Sequence, residues 1–180
     1  MDAREQLAHL LDRHRPHDPA EADMLVRLAG FVRSDPHALD WRNSIGHVTG
    51  SAWVLDPTGA RVLLTFHRKL ERWLQLGGHV EDDETVPAAA LREAHEESGL
   101  NGIVLAAETV FDVDIHAIPA TPKRAAHLHY DVRFLCLAPA AEPRPNEESR
   151  EVRWVPLDEV STLNPDASMI RMLAKTPRAR

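Results

Sequence analysis

Three glutamates, Glu93, Glu96 and Glu97, crowd the second half of a segment, Val86 to Ser98, that reads as a helix. At 100° per residue their side chains fall within an arc of about 100° on one helical face. Val86, Ala89 and Ala90 point the same way, and small apolar residues of an amphipathic helix face the body of a protein, so the periodicity turns these carboxylates inward. Like charges one turn apart repel, and partial burial raises the cost. A divalent cation would compensate them, the alternative being a solvated glutamate-rich face paired with Arg92. Carboxylate oxygens with no soft ligand beside them suit Mg²⁺ or Mn²⁺, and Mg²⁺ keeps several waters and recruits the oxygens of substrate phosphates. Phosphoryl chemistry follows from such a donor set.

The surrounding elements must hold that helix in place. Thr85 is its expected N-cap, Pro87 sits early enough in the first turn to be tolerated, and Gly99 stands where a left-handed terminal residue belongs. Upstream, His47 to Leu55 and Arg61 to His67 read as strands joined by the turn Asp56-Pro57-Thr58-Gly59, followed by the pair Gly77-Gly78. Further strand material is expected at Val104 to Ile115, Leu128 to Leu137 and Val152 to Val155, the last preceded by an acidic loop, Ala141 to Arg150. A final helix should end near Lys175. At the N-terminus, Leu7, Leu10 and Leu11, then Met24, Leu25, Leu28 and Val32, have helical spacing, with Pro16 and Pro19 between the two runs and Asp35-Pro36 stopping the second. The expected division is a helical extension over residues 1–42 packed on a main domain over residues 43–180.

A chain of 180 residues, 43% hydrophobic and 27% charged, fits one ordinary globular domain with a small appendage. At this size it should bury roughly two-thirds of its unfolded surface, with no need of disulfides or a structural metal. The single cysteine, Cys136, lies in the apolar run Phe134 to Leu137 and reads as a buried strand thiol in a reducing compartment. Twenty-one basic against 28 acidic residues give a net charge of −7. The basic residues are scattered, with small groups only at Arg68-Lys69, Arg72 and Lys123-Arg124, which argues against a nucleic-acid polymer as partner. No apolar stretch approaches the roughly 20 residues of a membrane span, and Met1 to Glu5 lacks the apolar core of a signal peptide. A cytoplasmic protein is expected.

Taken with its flanks, the helix reads Gly78, five residues, Glu84, seven residues, then Arg92-Glu93-Ala94-His95-Glu96-Glu97-Ser98-Gly99-Leu100. This resembles the Nudix box, G-x5-E-x7-R-E-U-x-E-E-x-G-U with U aliphatic, at every fixed position, Ala94 being the smallest residue that qualifies as U. The flanking strand pattern extends the resemblance loosely from about His47 to Leu157. It implies an α/β (α+β) fold, an α/β/α sandwich around a mixed sheet, here with an N-terminal helical extension. It also implies hydrolysis of a nucleoside diphosphate linked to another moiety, such as a nucleotide sugar, ADP-ribose, a dinucleotide or a modified nucleoside triphosphate, assisted by Mg²⁺ or Mn²⁺. By position, Glu93, Glu96 and Glu97 resemble the metal ligands, with the carbonyl of Gly77 a further one. Arg92, Glu93 and Glu97 form the implied catalytic group, Glu93 being similar to the general base of some members. Arg92 would hold Glu93 by a charge-assisted hydrogen bond, Glu84 would brace the loop, and Gly78 and Gly99 complete the box. In some relatives the base comes from a later loop, where this chain offers Glu147, Glu148 and Glu151, the alternative being an ordinary solvated loop. Diphosphate cleavage needs cations on the non-bridging oxygens and a base or metal to generate hydroxide, which matches these carboxylates.

Two other functions are carried beside this one. The related isopentenyl diphosphate isomerases have a tryptophan-to-Cys-Gly-His segment that Trp73 to His79 loosely resembles, with Gly77 standing where the catalytic cysteine would be. A catalytically silent nucleotide-binding module on the same fold would have no chemical need of an intact box. Homodimers are frequent in the superfamily, so the resemblance also implies a homodimer.

Histidine is unusually abundant, with 11 in the chain. His127, His129 and Asp131 alternate along an expected strand and would share a face, as a second metal site or as hydrogen-bonded or substrate-contacting residues. His67 and His79 flank the segment leading to the glycine pair, and either could touch a phosphate or simply be exposed. Arg68, Lys69 and Arg72 would clamp a diphosphate or form a solvated loop, and Trp41 or Trp73 would stack on a base.

Overall fold

The structure, a computed structural model, describes residues 2–177 apart from 69, 123 and 145–148, and leaves the side chains of residues 149 and 150 undescribed. Lys69, Lys123, Glu147 and Glu148 therefore lie outside the described residues.

Two helices open the chain. In α1 (Ala3–Arg13) Asp2 and Glu5 cap each other reciprocally, the Glu5 amide donating to Asp2 Oδ1 at 2.7 Å and the Asp2 amide to Glu5 Oε2 at 3.1 Å. In α2 (Pro19–Ser34) Asp18 caps the end and Pro19 needs no intrahelical partner for its missing N–H. There follow β1 (Gly46–Leu55), β2 (Arg61–His67), β3 (Arg72–Leu74) and β4 (Leu76–His79). Helix α3 (Val86–Ser98) has Thr85 as N-cap, and Gly99 closes it at φ 64°, as its sequence requires. The chain ends with β5 (Val104–Leu105), β6 (Asp112–Ile118), β7 (His127–Leu137), β8 (Ser149–Pro156), α4 (Val160–Leu163) and α5 (Ala167–Lys175).

Two differences from the sequence expectation bear on function. The stretch expected as one run of strand from Val104 to Ile115 is broken into β5 and β6, because only residues 104–105 and 112–118 pair with β7. Strands β3 and β4 were not legible at all. Leu76-Gly77-Gly78-His79 has no alternating pattern, and it becomes a strand only by pairing antiparallel with Thr49 to Ala52 of β1.

The sheet is mixed. Strands β1 and β7 run parallel over Gly46 to Leu55, and the other pairings among the described residues are antiparallel. With neighbours on both sides, every residue of β1 is buried. Alternation then divides its side chains between two layers. Val48, Ala52 and Val54 join a core with Val86, Ala89, Ala90 and Ala94 of α3 and with Leu7, Leu11 and Leu28 of the first two helices. Trp53 and Leu55 join a second core with Val62, Leu64, Val155, Met169 and Met172. The fold is thus α+β, with helices on both faces of the sheet. Cys136 is fully buried, and burial pushes its thiol up to about 12. No helix among the described residues is long and apolar enough to cross a membrane.

Candidate active site

The site is built where α3 lies on β1 and β4, and two glycines let it approach. A Cβ on Gly50 would sit 2.7 Å from the Val86 carbonyl oxygen and 3.0 Å from the Ala90 amide. Gly78, its partner across the ladder, would with any Cβ overlap the carboxylate of Glu93. The bare backbone of β4 is therefore the floor on which the helix lays its acids. The Gly77 amide donates to Glu97 Oε2 at 3.2 Å, and Glu97 is 7% exposed.

The three glutamates are not equally inward, which corrects the helical arithmetic. The Glu93 side chain is 19% exposed, but that of Glu96 is 57% exposed and stands at the rim. The arc of about 100° runs from the seam with β4 out to solvent, and only Glu93 and Glu97 meet the glycine backbone. Arg92 ties the acids together. Its guanidinium grips Glu84 with a two-pronged fork, Nε to Oε1 at 3.1 Å and Nη2 to Oε2 at 3.0 Å. From Nη1 it donates to Glu93 Oε1 at 3.0 Å and Glu96 Oε2 at 3.2 Å, and from Nη2 to the His79 carbonyl at 2.8 Å. Its hydrogen bonds to Glu84 foremost, with Glu93 behind them and burial opposing, raise its already high pKa. Glu84 in turn accepts the Glu81 amide at 3.1 Å, bracing the loop before the helix.

Across β1 from β4, on β7, lies the centre of a polar network. Asp131 accepts from Thr49 Oγ1 at 2.9 Å, Ser51 Oγ at 2.7 Å, Gln75 Nε2 at 3.2 Å and Arg133 Nε at 2.7 Å. Gly77 has φ 154°, and a side chain there would overlap Ser51. That leaves no room for the cysteine the isomerase resemblance would need at this position. His79 and His129 fall in a group of rings with His47, His116 and His127, His79 also stacking on Trp41 at 5.9 Å. Neither His47 nor the Asp131 network was singled out from the sequence. The available signal was the polar run His47, Thr49, Ser51 at alternate positions of an otherwise apolar strand.

Of the other candidates among the described residues, only Trp41 touches this cluster. Arg72 donates to Asp166 at 2.7 Å, beside the start of α5, and Arg68 is exposed in the turn after β2. His67 accepts the Leu70 amide at 3.2 Å. Trp73 is buried against Phe66 and beneath the Arg153 guanidinium, so it offers no face to a base. Trp41, 44% exposed, keeps its ring open at the surface between Arg42 and Arg124. Glu151 pairs with Arg153 at 3.6 Å.

A family model described as NUDIX domain matches residues 47–175, most of the chain and every residue of the box. The chain belongs to the Nudix family. Among solved structures, this Nudix protein is similar to a NUDIX family hydrolase from Clostridium perfringens, with 25% identity, TM-score 0.56, and coverage of 74% of this chain and 97% of that one. A MutT NUDIX hydrolase from Burkholderia pseudomallei is 27% identical, TM-score 0.51, with 71% and 95% covered. A C. elegans Ap4A hydrolase shares the fold at 17% identity, TM-score 0.58, with 71% and 93% covered. No curated protein sequence matches the chain. It is a Nudix hydrolase, and α1 and α2 precede the part the family model covers.

Proposed function

We propose that this Nudix hydrolase cleaves the diphosphate linkage of a nucleoside diphosphate joined to another moiety, with Mg²⁺ or Mn²⁺ held by Glu93, Glu96, Glu97 and the carbonyl of Gly77. The observation that carries this is the placement of the Glu93 and Glu97 carboxylates on the bare backbone of Gly77 and Gly78, where a Cβ on Gly78 would overlap the Glu93 carboxylate and the Gly77 amide donates to Glu97. All the donors are hard oxygens, which is the chemistry these cations select. Such a cation, when bound, neutralises non-bridging phosphate oxygens and lowers the pKa of a coordinated water.

The chain's own residues have the remaining tasks. Glu93, partly open to solvent, accepts the proton of the water that attacks phosphorus. Arg92 is a positioning residue that holds Glu93 and Glu96 and anchors both to Glu84 and the β4 backbone. The Gly77 amide orients Glu97. Glu96 at the rim meets the diphosphate as it enters, and Trp41 offers its exposed face to a base.

The test is chromatographic product analysis over nucleotide sugars, ADP-ribose, dinucleoside polyphosphates and nucleoside triphosphates, with and without metal. The dinucleoside polyphosphates belong in the panel because a relative of this fold is named for Ap4A. Release of a nucleoside monophosphate from one class only with Mg²⁺ or Mn²⁺ is expected, with kcat lowered about 10²- to 10⁴-fold in Glu97→Gln while the circular dichroism spectrum is unchanged. Metal-independent turnover, or full activity in Glu97→Gln, would contradict the assignment.

A further inference from the structure

The ring cluster on the far side of β4 contains a feature that diphosphate hydrolysis does not use. His47 on β1 lies opposite His129 on β7, and His127 is two residues earlier on the same face. One ring nitrogen from each of His47, His127 and His129 lies within 4.8 Å of the other two. No other group of this kind is found among the described residues. The Nε2 atoms of His47 and His127 are buried and have no hydrogen-bond partner. A buried polar nitrogen left unpaired is rare in a folded protein and calls for a partner. Asp131, which alternation along β7 placed beside the two histidines, is not that partner. Its oxygens are taken up by Thr49, Ser51, Gln75 and Arg133, and His47 stands in its place.

We propose that His47, His127 and His129 bind a borderline divalent transition cation of the Zn²⁺ class, at a site chemically distinct from the carboxylates of α3. Imidazole selects Zn²⁺ and its neighbours in the series, whereas Mg²⁺ seeks oxygen, so the two donor sets sort the two kinds of cation. Nitrogens bound at about 2.0–2.1 Å to one tetrahedral ion stand about 3.3 Å apart, so small side-chain rotations close the gap. The orienting contacts fit as well. His127 Nδ1 donates to the Ala125 carbonyl at 2.9 Å, which leaves the lone pair on Nε2, as a backbone carbonyl commonly does for a metal-bound histidine. The Arg124 guanidinium donates to His47 Nδ1 at 3.2 Å, which keeps the proton of that neutral ring on Nε2. Binding at Nε2 moves this proton to Nδ1 and turns Arg124 fully onto the Trp41 and Asn43 carbonyls it already reaches, with no net proton released.

Three protein ligands leave a coordination position open to water or a substrate oxygen. The site also adjoins the box. The His79 ring packs on His47 and His129 at 4.9 and 5.7 Å, and the His79 carbonyl accepts from Arg92.

Chelator-stripped protein titrated with Co²⁺ in excess Mg²⁺ tests the proposal, Co²⁺ standing in for Zn²⁺ with visible absorption. One Co²⁺ per chain is expected, with the strong d–d bands of a low-coordinate nitrogen site. Affinity should fall at least about tenfold in each of His47→Gln, His127→Gln and His129→Gln, and stay unchanged in Glu97→Gln. Absence of binding, displacement by Mg²⁺, or sensitivity to Glu97→Gln but not to the histidine variants would overturn it. Should a variant not fold, wild-type protein labelled with ¹⁵N at histidine gives the same decision. Zn²⁺ should shift the ring nitrogens of His47, His127 and His129, and shifts confined to other rings, or none, would refute the site. Either result is independent of whether the box hydrolyses a diphosphate.

Discussion

Arg92 shows how much one side chain contributes when its geometry is planar. Five hydrogen bonds radiate from it, to both Glu84 oxygens, to Glu93, to Glu96 and to the carbonyl of His79. A lysine ammonium has three donors on one atom and cannot span both prongs of Glu84 while reaching Glu93. Arg92→Lys should therefore lower kcat about 10- to 100-fold with a smaller change in KM, because Glu93 loses its orientation while the substrate surface remains. Steady-state kinetics on the substrate found by the panel reads this directly, and a loss confined to KM would make Arg92 a substrate contact instead. Glu84, Arg92, Glu93 and Glu97 were all legible from spacing. That Glu96 stands apart from the others was not, because helical angle alone does not say where the neighbouring strand ends.

At the scale of elements, α3 was readable to the residue. Thr85, Pro87 and Gly99 each act through local backbone chemistry that tertiary packing does not override. Strand β2 was equally legible, bounded by its turn and its apolar run. Strand β4 was not, since two glycines have no strand propensity and its pairing comes wholly from β1. The closeness of α3 to that pair makes Gly50 a sensitive position. Gly50→Ala would place a methyl group 2.7 Å from the Val86 carbonyl, against backbone that cannot turn aside. We expect a loss of about 1–3 kcal/mol, seen as a fall in Tm of roughly 2–4 °C per kcal/mol. A Tm equal to wild type would mean that α3 shifts freely, and with it Glu93 and Glu97.

For the whole molecule, the N-terminal helices are bound to the sheet by a buried charge. Glu21 on α2 is fully buried, with His14 Nε2 at 2.8 Å, the His17 amide at 2.6 Å, the Val113 amide at 3.3 Å and Lys175 Nζ at 2.6 Å. Lys175 also reaches Asp112, which accepts from Arg133 and Arg171, so the first helices, the sheet and α5 share one network. Burial works against ionisation of Glu21, but the His14, His17 and Lys175 contacts outweigh it and hold its pKa well below the ordinary 4.5. A carboxylate with a depressed folded pKa contributes stability above its unfolded pKa and loses it as pH falls. Glu21→Gln should cost on the order of 3 kcal/mol at neutral pH, since Lys175 and His14 then face an amide. The gap from wild type should narrow as pH drops below 4.5 in denaturant titrations, and a constant gap would remove Glu21 from the acid response.

The sequence by itself determined the helix that carries the box, its caps, the box glutamates with their arginine, and the family these imply, because each depends on spacing along a short segment. Only the tertiary structure decided what sequence-distant residues share. It brought Gly50 and Gly78 under α3, sent Arg72 to Asp166, buried Trp73, and set His47 beside His127 and His129. Strand register makes these neighbours. Register is a property of paired chains, fixed by which faces are buried together, and a single strand carries no record of its partner.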